Sequence, residues 1–176
     1  MRIVLIVAQS LDGFITKHDE SGASWASPAD QHWFKDCLKS FDAQVMASST
    51  YETARNMILA KRDAGPRRII MTRRPDHFAA DILPGKLEFS AEPAPAIAQS
   101  LQSSGVQQCA LLGGAFAHDA FLQAGLVDEL WVTIEPRLFG EGTPMVRLRQ
   151  DQHLTLIDHQ RLPNSDSVVM RYRLNP

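Results

Sequence analysis

The 176-residue sequence has few cysteines and no long apolar run. Its two cysteines, Cys37 and Cys109, are far apart and lie in apolar surroundings, which is typical of free thiols in a reducing compartment. The apolar run near the N-terminus, residues 3–8, is much shorter than the roughly 20 residues of a membrane-spanning helix, and no signal-peptide cleavage site follows it. We therefore expect a soluble cytoplasmic protein that does not bind membranes.

Clusters of like charge and metal-binding spacings are also missing. The 18 Lys and Arg residues nearly balance the 20 Asp and Glu residues and form no basic tail, so we expect no binding of nucleic acid. The six histidines are scattered and form no His-x-x-x-His pattern, so we expect no metal. Neither Ser10 nor Ser27 lies in a Gly-x-Ser-x-Gly segment, which argues against a nucleophilic hydrolase.

Apolar segments of strand length alternate with helical patterns along most of the chain. The first, residues 3–9, is continuously apolar, which is typical of a strand covered on both faces in a mostly parallel sheet. The last two, residues 154–161 and 167–174, are joined by a polar turn and predict an antiparallel ending with the final strand near an edge. The other strand candidates are residues 43–47, 68–72, 87–90, 106–112 and 128–135.

Helical patterns fill the gaps between these strands. Ser27 is a suitable cap for the first helix, with Pro28 at its first position, and Gly105 and Gly125 are suitable stops for the last two. The predicted helices cover residues 28–41, 50–61, 95–104 and 115–124. This order predicts an α/β fold, a three-layer sandwich around a mixed, mostly parallel sheet, formed as one domain by residues 1–176.

Two glycines stand between a predicted strand and a predicted helix. Gly113 and Gly114 precede Ala115 and Phe116, which begin the helix. A backbone without side chains and a helix N-terminus together favour an anion such as a pyrophosphate. The segment lacks the Gly-x-Gly-x-x-Gly spacing of an ordinary dinucleotide-binding fold, and tight chain geometry alone also uses a Gly-Gly turn. Anion binding and a purely structural turn are both open at this point.

Two further turns after strands carry polar or basic residues. Ser48, Ser49 and Thr50 offer hydroxyl groups after the second strand, and Arg73 and Arg74 offer guanidinium groups after the third. The carboxyl ends of parallel strands line the ligand crevice of an α/β sheet. Each turn alone also fits a solvated loop, whereas the three turns together favour one extended ligand that carries phosphate groups.

Asp30 is the strongest candidate for a catalytic side chain. It lies in the first turn of the first predicted helix, where a carboxylate commonly serves as a cap. Partly buried between Trp25 and Phe34, the same carboxylate would have a raised pKa and would pair with an amidine-like heterocycle. The residue pattern leaves both roles open.

Short motifs spread over residues 3 to about 146 resemble those of a known family. Four of them together resemble the dihydrofolate reductase superfamily, namely Trp25-Ala-Ser-Pro28-Ala29-Asp30-x-x-Trp33-Phe34-Lys35, Val45-Met46, Thr50-Tyr51-Glu52 and Leu112-Gly113-Gly114. The remaining three are most similar to the reductase domain of riboflavin biosynthesis, which is the C-terminal domain of a bifunctional deaminase-reductase. They are Ser10-Leu11-Asp12-Gly13, the stretch from Gly125 to Leu130, and the stretch from Pro136 to Pro144.

The resemblance implies a dihydrofolate reductase-like domain, a homodimer, and an NADPH-dependent oxidoreductase that passes hydride to a pyrimidine- or pterin-type substrate. Asp30 matches the acid that binds the heterocycle and serves catalysis, with Trp25 and Phe34 as walls of the site. By position, the cofactor contacts would be Ala8 and Ile15 at the nicotinamide, Ser49 and Thr50 at the phosphates, Thr72 and Arg73 at the adenosine end, and Gly113, Gly114, Ala115 and Phe116 at the pyrophosphate.

One position departs from the pattern of the superfamily. Ala47 and Ser48 stand where Gly-Arg usually precedes the Ser/Thr that opens the second helix. That arginine normally contacts a cofactor phosphate, so we expect Arg73 and Arg74 to take over its role. Three functions stay open: a reductase resembling 5-amino-6-(5-phosphoribosylamino)uracil reductase of riboflavin biosynthesis, a true dihydrofolate reductase, and a nucleotide-binding module without turnover.

Overall fold

The structure is a computed structural model, and it describes residues 1–148 and 151–175. The described chain forms strands that alternate with helices through its first two thirds. The strands are β1 (Arg2–Ser10), β2 (Ala43–Ala47), β3 (Arg67–Met71), β4 (Leu87–Ser90), β5 (Gln108–Leu111), β6 (Glu129–Glu135), β7 (Leu154–Arg161) and β8 (Val168–Leu174). The helices are α1 (Pro28–Cys37), α2 (Ser48–Leu59), α3 (Ala94–Ser103) and α4 (Ala115–Gln123).

All eight strands belong to one sheet with the order β4-β3-β2-β5-β1-β6-β8-β7. Neighbouring strands from β4 to β6 are parallel, whereas β8 is antiparallel to both β6 and β7. This arrangement confirms the predicted mixed sheet with an antiparallel ending. The final strand lies near an edge, as expected: β8 is the second strand from the edge, and β7 forms the edge itself. Because β8 pairs with both β6 and β7, its N–H and C=O groups are used on two sides.

Alternate residues of the central strands face opposite helical layers. In β1, Ile3 and Leu5 pack in the cluster that contains buried residues of α3 and α4. Val4 and Ile6 pack in the cluster to which α1 contributes Trp33. Since successive side chains of a strand point to opposite faces, a continuously apolar strand must be covered on both. The helices above and below the sheet therefore confirm the predicted three-layer sandwich.

The helix boundaries differ from the predicted ones where local signals are ambiguous. The first helix ends at Cys37, and a separate 3-10 turn, Leu38–Ser40, carries the chain to β2, whereas we expected one helix to Phe41. The second helix begins at Ser48, because the chain leaves β2 directly into the first turn. A 3-10 segment, Pro75–Asp81, was not predicted. None of the described helices is long and apolar enough to cross a membrane.

Candidate active site

Two of the predicted phosphate-binding turns meet above the carboxyl ends of β2 and β5. A Cβ atom placed on Gly114 would lie 3.6 Å from Thr50 Oγ1 and 3.8 Å from Ser49 Oγ. The turns are joined by the backbone, since Ala47 N donates to Gly113 O at 2.6 Å. Neither α2 nor α4 has a side-chain cap among the described residues. The first backbone N–H groups of both helices therefore face the space between the two turns without a hydrogen bond to a capping side chain. The geometry suits an anion.

The backbone conformation at position 113 requires a glycine. Its φ is +97°, a left-handed conformation that favours glycine, and a Cβ atom there would lie 2.9 Å from His118 Nε2. His118 is fully buried in α4, and its burial lowers the pKa of the imidazole, so the ring is neutral. Nδ1–H then donates to Met145 O at 2.9 Å. The Gly113–Gly114 peptide bond is cis.

The third predicted turn lies next to the second. β2 and β3 are paired with Ala47 opposite Met71, which places Thr72 beside the start of α2. Arg73 and Arg74 are exposed and form no ion pair within the described part of the chain. Both guanidinium groups are therefore free to meet an anionic ligand that extends from the glycine turn toward β3.

The residues predicted at the nicotinamide lie near the end of β1. The N–H and C=O groups of successive residues in a strand point alternately to the two neighbouring strands. Arg2 donates its N–H toward β5, so Ala8, six residues later, also directs its N–H and C=O groups to the β5 side. The β5 pairing ends at Leu5, so Ala8 lies beyond the end of that neighbour. Ile15 is half-buried in the following loop, where its N–H donates to Thr143 O at 2.8 Å. The N–H and C=O groups of Ala8 therefore have no partner in β5.

The motif Ser10-Leu11-Asp12-Gly13 holds a second loop in place. The Asp12 carboxylate accepts hydrogen bonds from Ser10 Oγ at 2.5 Å and from the backbone N–H groups of Phe139 and Gly140 at 3.0 and 2.8 Å. These bonds, with Ser10 first, lower the pKa of the Asp12 carboxyl group. The loop after β6 is therefore tied to the loop after β1, and both border the end of the central strands.

Asp30 is not the cap of α1. Ser27 has that role, since its Oγ accepts a hydrogen bond from Asp30 N at 3.2 Å. The Asp30 residue is only 6% exposed, and burial raises the pKa of its carboxyl group, with the nearby charge of Glu135 adding to the rise. The hydroxyl of Thr133 faces the carboxyl group and counteracts the rise, although its geometry falls short of a hydrogen bond. A buried acid with raised pKa is typical of functional sites.

Two buried polar groups without partners in the described part of the chain lie on Thr133, which faces this acid, and on Trp25, in the turn before α1. Trp25 is buried and packs edge-on against Phe139 with ring centroids 5.0 Å apart. Its indole Nε1 and the Thr133 hydroxyl are buried and have no hydrogen-bond partner within the described residues. Phe34 is half-buried on α1 and packs against the cluster under that helix. Buried polar groups are usually paired, so such orphan groups point to a ligand that completes them.

The sequence analysis missed Glu135, Thr133 and Ser167. Glu135 is 2% exposed and accepts hydrogen bonds from Ser27 N at 3.0 Å, Ser27 Oγ at 2.8 Å and Ser167 Oγ at 2.9 Å. A signal was present: Thr133 and Glu135 share one face at the carboxyl end of a strand whose central residues are apolar. Within residues 1–148 and 151–175, no group of three or more His, Cys, Asp and Glu side chains is arranged to hold a metal ion.

Comparison with known proteins places these features in a family. A family model described as the RibD C-terminal domain matches residues 2–165. The uncharacterized protein YwjB of Bacillus subtilis is 25% identical over 147 residues, which are 82% of each chain. Among solved structures, a pyrimidine reductase-like protein from Corynebacterium diphtheriae has a TM-score of 0.79 at 15% identity, covering 99% of this chain and 92% of that one. Dihydrofolate reductase from Enterococcus faecalis, complexed with NADP(H), has a TM-score of 0.72 at 18% identity over 99% and 97% of the two chains.

These comparisons confirm the predicted resemblance to the dihydrofolate reductase superfamily and to the reductase domain of riboflavin biosynthesis. At 15% and 18% identity, the likeness to the two solved structures establishes the fold alone. The residue roles must therefore be argued from the geometry of this chain.

Proposed function

The chain belongs to the RibD C-terminal domain family, and from this premise we propose that it is an NADPH-dependent reductase of a pyrimidine- or pterin-type heterocycle. In this respect it resembles 5-amino-6-(5-phosphoribosylamino)uracil reductase of riboflavin biosynthesis. The observation that carries the proposal is the buried acid Asp30, beside the unpartnered hydroxyl of Thr133 and, on the turn that leads into α1, the unpartnered indole N–H of Trp25.

The residues at the strand ends fit a bound dinucleotide. The uncapped helix N-termini at Gly114–Phe116 and Ser49–Thr50 would hold the phosphates, because their N–H groups carry partial positive charge. Thr72 and Arg73 would hold the adenosine end, and Ala8 and Ile15 would border the nicotinamide. When bound, NADPH supplies the hydride. This chain contributes orientation and a site from which water is excluded.

Asp30 would bind the heterocycle. A carboxyl group offers two oxygen atoms at the spacing of a ring nitrogen and its neighbouring amino group, so it recognises the N–C–N unit of a pyrimidine or pterin ring. Trp25 would close one side of the ring and Phe34 another. Burial of the acid strengthens these hydrogen bonds, because the local dielectric constant is lower than that of water.

Turnover assays test the proposal directly. NADPH oxidation is followed with the ribosylaminopyrimidine phosphate, with dihydrofolate and with a panel of related heterocycles. Oxidation with the pyrimidine phosphate supports the first function. Oxidation with dihydrofolate alone assigns a dihydrofolate reductase. Tight NADPH binding without turnover on the whole panel assigns a nucleotide-binding module, and no binding refutes all three.

Cofactor preference is a second test. Since Arg73 and Arg74 are exposed and free of ion pairs among the described residues, they are available to the 2′-phosphate of NADPH. We expect NADPH to bind more tightly than NADH, and the double Arg73→Ala/Arg74→Ala variant to lose that preference. Arg161→Ala is the control for loss of an exposed arginine, because Arg161 is also exposed, pairs with Asp166 and lies on β7 at the opposite edge of the sheet.

We also propose that the chain forms a homodimer through β7. All eight residues of this edge strand are exposed, and Leu154, Leu156 and Ile157 are 40%, 48% and 43% exposed. An unpaired edge strand with apolar side chains favours pairing with a second copy. Sedimentation should show a dimer that Ile157→Lys converts to a monomer, whereas Leu11→Lys, in an exposed loop, leaves it intact. A wild-type monomer would refute this interface.

A further inference from the structure

His118 is a fully buried histidine of α4 that lies behind the glycine turn, Gly113–Gly114. Its two ring nitrogens face different segments of the chain. Nδ1 lies 2.9 Å from Met145 O, in the loop after β6. Nε2 has no hydrogen-bond partner among the described residues, and it faces Gly113, where a Cβ atom would lie 2.9 Å away. The ring therefore stands between the glycine turn and the loop after β6.

The carbonyl group of Met145 determines which ring nitrogen carries the proton. A carbonyl oxygen only accepts hydrogen bonds, so Nδ1 carries the hydrogen atom and donates it. Nε2 of the neutral ring then has a lone pair and no hydrogen atom. Glycine at position 113 leaves room for this nitrogen, whereas any other side chain would meet it. His118 thus contacts the turn on one side and is hydrogen-bonded to Met145 on the other.

The backbone of Met145 continues this connection to the loop after β1. Met145 O accepts the hydrogen bond from His118, and Met145 N donates to Gly13 O at 3.2 Å. Two residues further along the same loop, Ile15 N donates to Thr143 O at 2.8 Å. The loops after β1 and β6 are therefore paired through their backbones, and His118 joins this pair to the glycine turn.

We propose that His118 is a positioning residue: through the backbone of Met145 it fixes the loop that carries Ile15 relative to the glycine turn. The proposal rests on the proposed function for the assignment of phosphates to the turn and of the nicotinamide to Ile15. A dinucleotide that binds at both ends needs the two sites at one separation. A separation that is already set in the free protein avoids the cost of ordering the loop when the cofactor binds.

A second link between α4 and the loop after β6 provides a matched control. Asp119, the next residue of α4, accepts a hydrogen bond at its Oδ1 from Arg147 N at 2.7 Å. This bond is exposed, and within the described part of the chain Arg147 forms no hydrogen bond to the loop after β1. Asp119→Ala therefore removes a neighbouring side chain that holds the same loop, but it leaves the connection through Met145 in place.

Hydrogen exchange in the free protein tests the positioning directly. His118→Leu removes both ring nitrogens, whereas His118→Asn has a similar volume and keeps a donor for Met145 O at the place of Nδ1. In His118→Leu, exchange at the N–H groups of Met145 and Ile15 should become faster by about tenfold, the effect of losing one buried hydrogen bond. In His118→Asn and in Asp119→Ala, exchange at both groups should stay within about twofold of wild type.

The N–H of Asp128 is the reference for opening of the whole fold, because it donates to Ile3 O at 2.9 Å just before β6. Three results would overturn the proposal: unchanged exchange at Ile15 in His118→Leu, equal acceleration at Ile15 and Asp128, or acceleration in His118→Asn as large as in His118→Leu. If His118→Leu does not fold, the nitrogen-15 shifts of the His118 ring in the wild type decide, and a proton on Nε2 would overturn the proposal.

Ligand binding gives a second readout that a merely structural role would not produce. NADPH is compared with 2′-phospho-ADP-ribose, which lacks the nicotinamide. His118→Leu should weaken NADPH binding by about tenfold and leave binding of the fragment within about twofold, because only NADPH reaches both ends of the site. Equal losses for the two ligands would overturn the proposal. If the wild type binds neither ligand, the proposed function is refuted, and the exchange experiment still decides the link from His118 to the loop.

Discussion

Replacing Asp30 by Asn separates a structural role from a functional one. Ser27 is the cap of α1, and the Asp30 carboxyl group is buried opposite a single hydroxyl, so Asn at this position removes no cap of the helix. Asn keeps the shape and removes the ionisation. We therefore expect the Asp30→Asn variant to fold, to be at least as stable as the wild type at neutral pH, and to lose about 10²-fold or more in kcat/KM.

The size of the stability effect follows from linkage. In the unfolded chain Asp30 ionises near its ordinary pKa of about 3.9, whereas burial raises its pKa in the folded protein. Folding takes up a proton between the two values, so the stability conferred by neutral Asp30 is full below the unfolded pKa and is lost as pH rises through the folded pKa. Each pKa unit between the unfolded and the folded value corresponds to about 1.4 kcal/mol in the free energy of unfolding.

The assay compares chemical unfolding and turnover of both proteins at pH 4 and pH 8. From pH 4 to pH 8, the free energy of unfolding of the variant should rise by about 1 kcal/mol relative to that of the wild type, or by about 2–4 °C in Tm. We expect no larger gain, because the buried Asn amide also lacks partners. Asp36→Asn is the control, because Asp36 is exposed on the same helix and pairs with Lys39 and His32. It should not alter turnover. A variant that loses stability between pH 4 and pH 8 relative to wild type, or that retains full turnover, would refute the reasoning.

Three more predictions concern the cofactor turn and its supports. Gly114→Ala should fold, since its Cβ makes only ordinary contacts of 3.6 and 3.8 Å. It should weaken NADPH binding, measured by fluorescence, at least tenfold, because the methyl group fills the space between the two turns. Undiminished affinity would contradict phosphate binding between these turns. Asp12→Asn should speed hydrogen exchange at the N–H groups of Phe139 and Gly140, which it holds, and protection equal to wild type would exclude this anchor. Burial lowers the pKa of His118 in the folded protein below its value of about 6.5 in the unfolded chain. The stability from its neutral ring is therefore present above about pH 6.5 and is lost as pH falls toward the pKa of the folded protein. His118→Asn, which keeps a donor for Met145 O, should show a shallower loss of stability from pH 7 to pH 5, and an equal slope would refute the assignment.

Strongly periodic segments were predictable because their physics is local. The continuous apolar run of β1 requires cover on both faces, and this alone indicates a sheet between two helical layers. Ser27 before Pro28 predicted the start of α1, and Gly105 and Gly125, with φ of +85° and +64°, end α3 and α4 as expected. The boundaries at Cys37 and Ser48 were missed, because helix ends depend on where the chain must turn to reach the next strand.

The candidate site depended on contacts between distant parts of the chain. Ser49 and Gly114 lie far apart in the sequence, and only the pairing of β2 with β5 brings their turns together. The sequence suggested that Asp12 belonged to a motif, whereas the fold identifies its partners as N–H groups of the loop after β6. The residue types at each turn indicated anion binding, but the common position of these turns is a property of the sheet.

The sequence by itself determined the secondary structure elements, their alternation and the presence of an acid at the start of α1. The tertiary structure decided the state of that acid. Its pKa depends on burial and on Glu135, which is more than a hundred residues away and reaches Asp30 only because β6 lies beside β1 and faces α1. Periodicity is a property of neighbouring residues in the chain, whereas the energy of a charge depends on solvent exclusion and on all charges nearby in space. For this reason the sequence pattern also suits Asp30 as a helix cap, whereas the folded protein holds it as a buried acid with a raised pKa.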